Sequence, residues 1–301
     1  MAFCDSLQVP QHLCFLANKL LLCAFTASST GRHASSTPCA RLLALKAWHS
    51  THNLEWKGST WLCQVLSSVH NLAPSSSKLP PRLPITTCML IQLVTKLDLS
   101  LSLDAAIATC ACTAFWGQCH LGKLLPSSTS LPALTTLPLC SGFKRSVRNP
   151  QACILHLPHT KTHTHGEDIV IVDQNKPINP ILLLKSHIQI NDILKDGFLF
   201  SYRDANILIT LTKSLCLDCC NNIWHSLGHP RFTGHSFRIG GTTELLIASI
   251  PPDVVRVTSC WSSESFLCYW RSLEEIAPHY ITNLPTLSKR QNRYALSRSR
   301  G

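Results

Sequence analysis

The stretch Gly234-His235-Ser236-Phe237-Arg238-Ile239-Gly240-Gly241-Thr242-Thr243-Glu244-Leu245-Leu246 carries the residue types best suited to chemistry. It sets a histidine and an arginine three residues apart, at the start of a predicted helix. Positions i and i+3 share a helix face, so both side chains can meet one ligand. The two glycines after Arg238 remove Cβ atoms, which lets backbone or ligand come close. Trp261 and Tyr269 follow. An arginine and a histidine suit a phosphate, and a tyrosine hydroxyl can attack one. The pattern points to phosphoryl transfer through a covalent tyrosine intermediate.

The run from His235 to Leu246, followed by Trp261-Ser262-Ser263-Glu264-Ser265-Phe266-Leu267-Cys268-Tyr269-Trp270-Arg271, resembles the C-terminal catalytic box of tyrosine recombinases. These are the phage-integrase-like enzymes that break and rejoin DNA. In particular the stretch resembles the copies carried by eukaryotic mobile elements. The likeness is specific over residues 235–271, weaker back to residue 105 and faint before that. It implies that His235 is a proton-shuttling base and phosphate donor, and that Arg238 is a phosphate clamp. It makes Trp261 a donor to a non-bridging oxygen and Tyr269 the nucleophile. Lys161 matches the family's general acid, a hairpin lysine that reaches the leaving 5′ oxygen. A lysine can do this where burial or cationic neighbours lower its pKa. Taken without the resemblance, Lys161 reads equally well as an exposed loop residue.

Two departures weigh on the activity. Where the family has a glycine, an arginine on the scissile phosphate and a glutamate three residues on, this chain reads Gly117-Gln118-Cys119-His120-Leu121-Gly122-Lys123. His120 stands in the arginine's place and Lys123 in the glutamate's. Arginine offers a fixed fork and a permanent charge, whereas histidine near neutral pH offers one donor and a part-time charge. Losing a preorganised donor typically costs about 10² to 10³ in rate. Poor or absent strand cleavage is the expectation. Ser259-Cys260 also replace the family's Gly-Arg pair ahead of Trp261.

The elements that must position these residues read as mainly α with a small β-hairpin or sheet. Helices are predicted over 11–27, 38–52 and 60–73. Leu42, Leu45 and Trp48 face one side of the second, and Leu62, Val65, Leu66 and Val69 one side of the third. Ser59 or Thr60 would cap that third helix. Residues 74–85 form a Pro/Ser linker in which Lys78 and Arg82 add charge. A helix runs from Thr86 or Thr87 to Leu97, and a second, buried nearly all round, from Ala105 to Gly117. Residues 151–157 and 168–173 read as hairpin strands. A helix follows over 180–193, with Ile181, Leu182, Leu184 and Ile188 inward. Then come a turn and short strand over 196–200, and a helix capped by Thr212 that runs to Trp224. The implied division is a helical core-binding domain (SAM-like) over 1–73, the linker, an α+β tyrosine recombinase catalytic domain over 86–285, and a basic tail over 286–301. The tail carries Lys289, Arg290, Arg293, Arg298 and Arg300 and is expected to be disordered and able to touch DNA.

Hydrophobic residues make up 45 % of the 301, enough for a core, while charged residues make up 14 %. Lys plus Arg outnumber Asp plus Glu by 27 to 16, a net charge of +11. That balance favours a polyanion, with nucleic acid ahead of an anionic membrane. The apolar run Leu13 to Ala27 is interrupted by Lys19 and is shorter than the roughly 20 residues that span a bilayer, so it reads as a buried helix rather than a signal peptide. Sixteen cysteines are scattered, many within apolar helical runs as Cys110 and Cys112 are, which reads as reduced thiols in a nuclear or cytosolic setting. Cys216-Leu217-Asp218-Cys219-Cys220 and the trio His159, His163 and His165 lack the partners a zinc site needs. The expected partner is double-stranded DNA, met by Lys78, Arg82 and Arg271, with a homo-oligomer on DNA implied by the family. No cofactor, metal or membrane is expected, and the nucleus is the expected location. Two other readings stand beside an active recombinase: a DNA-binding remnant without catalysis, and a His/Cys metal-binding interaction protein.

Overall fold

A computed structural model describes residues 2–15, 17–77, 80–130, 134–159 and 166–258. The chain divides between Pro81 and Arg82 into two compact units. In the first, helices α1 (Ala2–Ser6) and α2 (Gln11–Phe15) precede α3 (Lys19–Ala27), α4 (Ser36–Thr51) and α5 (Thr60–Asn71), which pack together around Leu22, Leu42 and Leu62, with Ala17 joining them. The single helix expected over 11–27 is two. Asn18 adopts an extended backbone between them, and its side chain accepts a hydrogen bond from the Leu21 amide at 2.9 Å, starting α3 afresh. Ser59 holds the N-cap position of α5, but its hydroxyl makes no capping bond.

The second unit is built on α7 (Ser102–Trp116), whose residues Ala105 to Phe115 are all buried. Alanine, cysteine and threonine dominate this helix, and their small side chains let neighbouring helices approach on every side. Around it stand α6 (Thr87–Lys96), α8 (Leu121–Leu124), α9 (Pro180–Ile190), α10 (Lys213–Ser226) and α11 (Gly234–Ile247), and α12 (Pro252–Thr258) packs on α11. Thr212 caps α10 through its hydroxyl, as the sequence pattern predicts, and Thr86, one of the two starts open in the sequence, caps α6 in the same way. The Trp224 indole N–H donates to the Met89 carbonyl at 2.9 Å, tying α10 to α6.

Strands β2 (Ala152–Leu157) and β3 (Glu167–Val172) pair antiparallel as the predicted hairpin, with His156 opposite Asp168. A third strand, β1 (Phe143–Arg145), joins the β2 edge, too short for its pattern to stand out in the sequence. The strand expected over 196–200 begins instead at Ser201: β4 (Ser201–Asp204) pairs with β5 (Ile207–Thr210). Ala205 and Asn206 make their turn at φ 43° and 69°, a left-handed pair formed without glycine.

Helix α9 buries Ile181, Leu183, Leu184 and His187, while Leu182, expected inward, is 42 % exposed. The interior place goes to His187 because both its ring nitrogens are satisfied. Nε2 donates to the Leu199 carbonyl at 3.0 Å, and Nδ1 accepts from the Asn191 amide at 3.0 Å. Burial pushes the His187 pKa down to about 4, against about 6.5 in an unfolded chain. Between those values the unfolded state binds a proton that the folded state refuses. Stability therefore falls as pH drops from about 6.5 to about 4, by on the order of 3 kcal/mol from this group. In urea titrations, His187→Asn is expected to be less stable than wild type at pH 7 and to lose less on acidification to pH 4. Parallel pH profiles for the two proteins would overturn this assignment.

Candidate phosphate site

Helix α11 opens where the Thr233 amide donates to the Ser236 hydroxyl, closing the first turn, and the Ile85 amide donates to the Ser236 carbonyl at 3.1 Å. His235 and Arg238 then lie one turn apart. The His235 ring stacks on His120, with centroids 5.3 Å apart and planes inclined by 13°. His120 precedes α8, which α11 packs against. Two of the sequence-predicted residues, 115 positions apart in the chain (235 minus 120), are thus face to face.

Arg238 is 7 % exposed, and its Nη1 donates to the Gln118 carbonyl at 2.9 Å. Gln118 is buried at a left-handed φ of 49°. Its Oε1 accepts from the Thr242 hydroxyl at 3.0 Å, and its Nε2 donates to the Thr258 hydroxyl at 3.5 Å. One residue thus orients the guanidinium and links α11 to α12. Nothing in the sequence singles it out, because the arginine uses its backbone carbonyl rather than its side chain.

The His120 ring reaches the surface, yet its walls strip enough water to lower its pKa to about 4. Desolvation is the first cause, and electrostatic interaction with Arg238, His235, Lys123 and Lys213 lowers it further. At neutral pH position 120 is therefore an uncharged imidazole. Lys123 lies one turn beyond it, and its amide donates to the His120 carbonyl at 2.7 Å. Arg82 is exposed at the start of the second unit, three residues before Ile85. Lys161, Trp261, Tyr269, Arg271 and Lys78 lie outside the described residues, as do Ser259 and Cys260.

The glycines at 240 and 241 serve packing. A Cβ on Gly240 would stand 1.9 Å from the Ile85 carbonyl oxygen, and one on Gly241 2.0 Å from that of Phe115. Of the two possibilities open in the sequence, close approach of backbone or of ligand, these residues serve backbone. Cys216 and Cys220 turn into the core beside Cys110. Burial pushes the thiols of Cys110 and Cys112 up, as suits inert core residues. Among the described residues no group of three His, Cys, Asp or Glu is arranged to hold a metal ion. No described helix is long and apolar enough to cross a membrane.

Neither a protein-family model nor a curated protein matches the sequence. The structure is similar to that of XerH site-specific recombinase bound to palindromic difH substrate, a post-cleavage complex. The TM-score is 0.54, the identity 14 %, and the match covers 87 % of this chain and 72 % of that one. Another similar structure is the Tn1549 transposon integrase in complex with circular intermediate DNA, at TM-score 0.47 and 12 % identity, covering 84 % of this chain and 80 % of that one. At such identity the likeness to XerH is one of fold.

Proposed function

From the premise that this chain has the tyrosine recombinase fold, we propose that it is a recombinase- or integrase-like protein that binds double-stranded DNA. The observation that carries the reading is the pairing of His235 with a buried, anchored Arg238 at the opening of α11, face to face with position 120. A guanidinium held by a carbonyl acceptor keeps further N–H donors in a fixed fork suited to phosphate oxygens. His235 lies within one helical turn of that fork and can hand a proton to or from a reacting group. In this reading the Tyr269 hydroxyl attacks the phosphorus, its proton passing to His235. The 5′ oxygen leaves with a proton from Lys161, and Trp261 donates to a non-bridging oxygen. The product is a 3′-phosphotyrosyl link, and the reverse steps rejoin a strand. The chemistry needs no cofactor. Lys78, Arg82 and Arg271 add contacts to the backbone of the duplex. Nuclear location, origin in a mobile element and assembly of several copies on DNA belong to the same proposal.

A second reading is favoured by His120 and Lys123: the protein binds DNA but cleaves it poorly or not at all. A neutral imidazole cannot replace a permanent bidentate cation on the phosphate. Both readings require duplex binding that weakens steeply with salt, because each neutralised phosphate releases counterions. The logarithm of the binding constant should fall linearly with the logarithm of salt concentration, with a slope of about −0.9 per phosphate contacted. Binding indifferent to salt would end both. A covalent adduct on nicked duplex that disappears in Tyr269→Phe separates the active form from the remnant.

A further inference from the structure

Lys213 is the first residue of α10, placed there by the Thr212 cap and by its own amide, which donates to the Pro126 carbonyl at 3.0 Å. Its side chain runs to the start of α11. Its Cε lies 3.4 Å from where a Cβ on Gly234 would stand, and Leu121 Cβ lies 3.0 Å from the same point. The lysine stem thus covers the glycine immediately before His235. Lys123 belongs to α8, and the charges of both lysines act on His120. Neither lysine makes an ion pair with an acid among the described residues.

This placement is electrostatically unfavourable for a protein alone. A lysine in the first turn of α10 opposes that helix's dipole, and reaching the opening of α11 sets it against a second. Arg238 and Lys123 add like charge nearby. A bound anion reverses the sign of every one of these terms. We propose that Lys213, assisted by Lys123, contacts a DNA backbone phosphate at this site and supplies the charge that position 120 lacks. The inference rests on the duplex-binding reading above and adds to it a residue that the sequence pattern leaves unmarked.

The test measures affinity of the full chain for one duplex over a salt series, for wild type, Lys213→Gln, Lys213→Arg and Lys185→Gln. Lys185 is exposed on α9, and its charge is not among those acting on His120. Lys213→Gln is expected to weaken binding on all duplex sequences alike and to reduce the salt slope by about 1. Lys213→Arg and Lys185→Gln should keep the wild-type slope, with thermal melts verifying that all four proteins are folded. An unchanged slope in Lys213→Gln overturns the assignment and leaves duplex binding standing. Equal loss of slope in Lys213→Arg traces the effect to side-chain fit rather than charge and overturns it too. A wild type without salt-dependent binding removes the duplex-binding reading and this inference with it.

Discussion

His120→Arg combined with Lys123→Gln is expected to raise the yield rate of tyrosine-linked adduct on nicked duplex by about 10² to 10³ over wild type. The imidazole at 120 is neutral at pH 7, with its pKa at about 4. Arginine there adds one permanent charge, and glutamine at 123 removes one. The double variant keeps the charge of the site constant, trading the Lys123 ammonium for a planar fork at position 120. His120→Arg alone should gain less. The new guanidinium would stand beside Arg238, Lys123 and Lys213, and crowding like charges costs stability until a phosphate arrives. Single-turnover assays at saturating DNA compare the chemical step directly. If neither variant forms adduct while both still bind duplex, the loss of activity lies elsewhere. Ser259-Cys260, where the family has Gly-Arg, would be the next place to look.

The parts of this site that are legible in sequence are those set by local rules. Thr86 and Thr212 are good capping residues ahead of apolar periodic runs, and each caps its helix. The strands at 152–157 and 167–172 show enough β-branched residues to be read as a hairpin. His235 and Arg238 announce their shared face by spacing alone. What the sequence hides is set by three-dimensional neighbours. Gln118 orients Arg238 through a backbone carbonyl, a group every residue has, so no side-chain pattern could mark it. Lys213 lies 22 positions ahead of His235 (235 minus 213) and reaches Gly234 only because α10 and α11 are brought together in the fold. His187 replaces Leu182 on the buried face because Leu199 and Asn191 satisfy its nitrogens, partners visible only once the chain is folded. The family resemblance implies that His120 lies at the same site as His235, whereas their ring stacking and the depressed basicity of His120 follow from surroundings that spacing does not report.

Gly240→Ala is expected to destabilise the second unit by about 3 kcal/mol or more, a larger loss than helix propensity can offset. Alanine is favoured over glycine inside a helix by about 1 kcal/mol, so an unobstructed site would gain from the change. At 240 the new methyl would meet the Ile85 carbonyl oxygen at 1.9 Å and Phe115 Cε2 at 2.7 Å. Backbone cannot rotate out of the way as a flexible side chain can, so the overlap forces α11 off α7 and off the Ile85 segment. That movement would break the Ile85–Ser236 hydrogen bond and shift Arg238, two residues earlier, away from Gln118. Gly122→Ala is the control: it lies within α8 with no packing obstacle within 4 Å of the added methyl, and it should leave stability unchanged or raise it by up to about 1 kcal/mol. For a unit of this size the Gly240→Ala loss corresponds to a melting temperature lower by roughly 6–12 °C. Equal melting temperatures for the two variants would mean that α11 does not sit against Ile85 and Phe115. The stacked histidines and the anchored arginine would then lose the geometry on which a phosphate site depends.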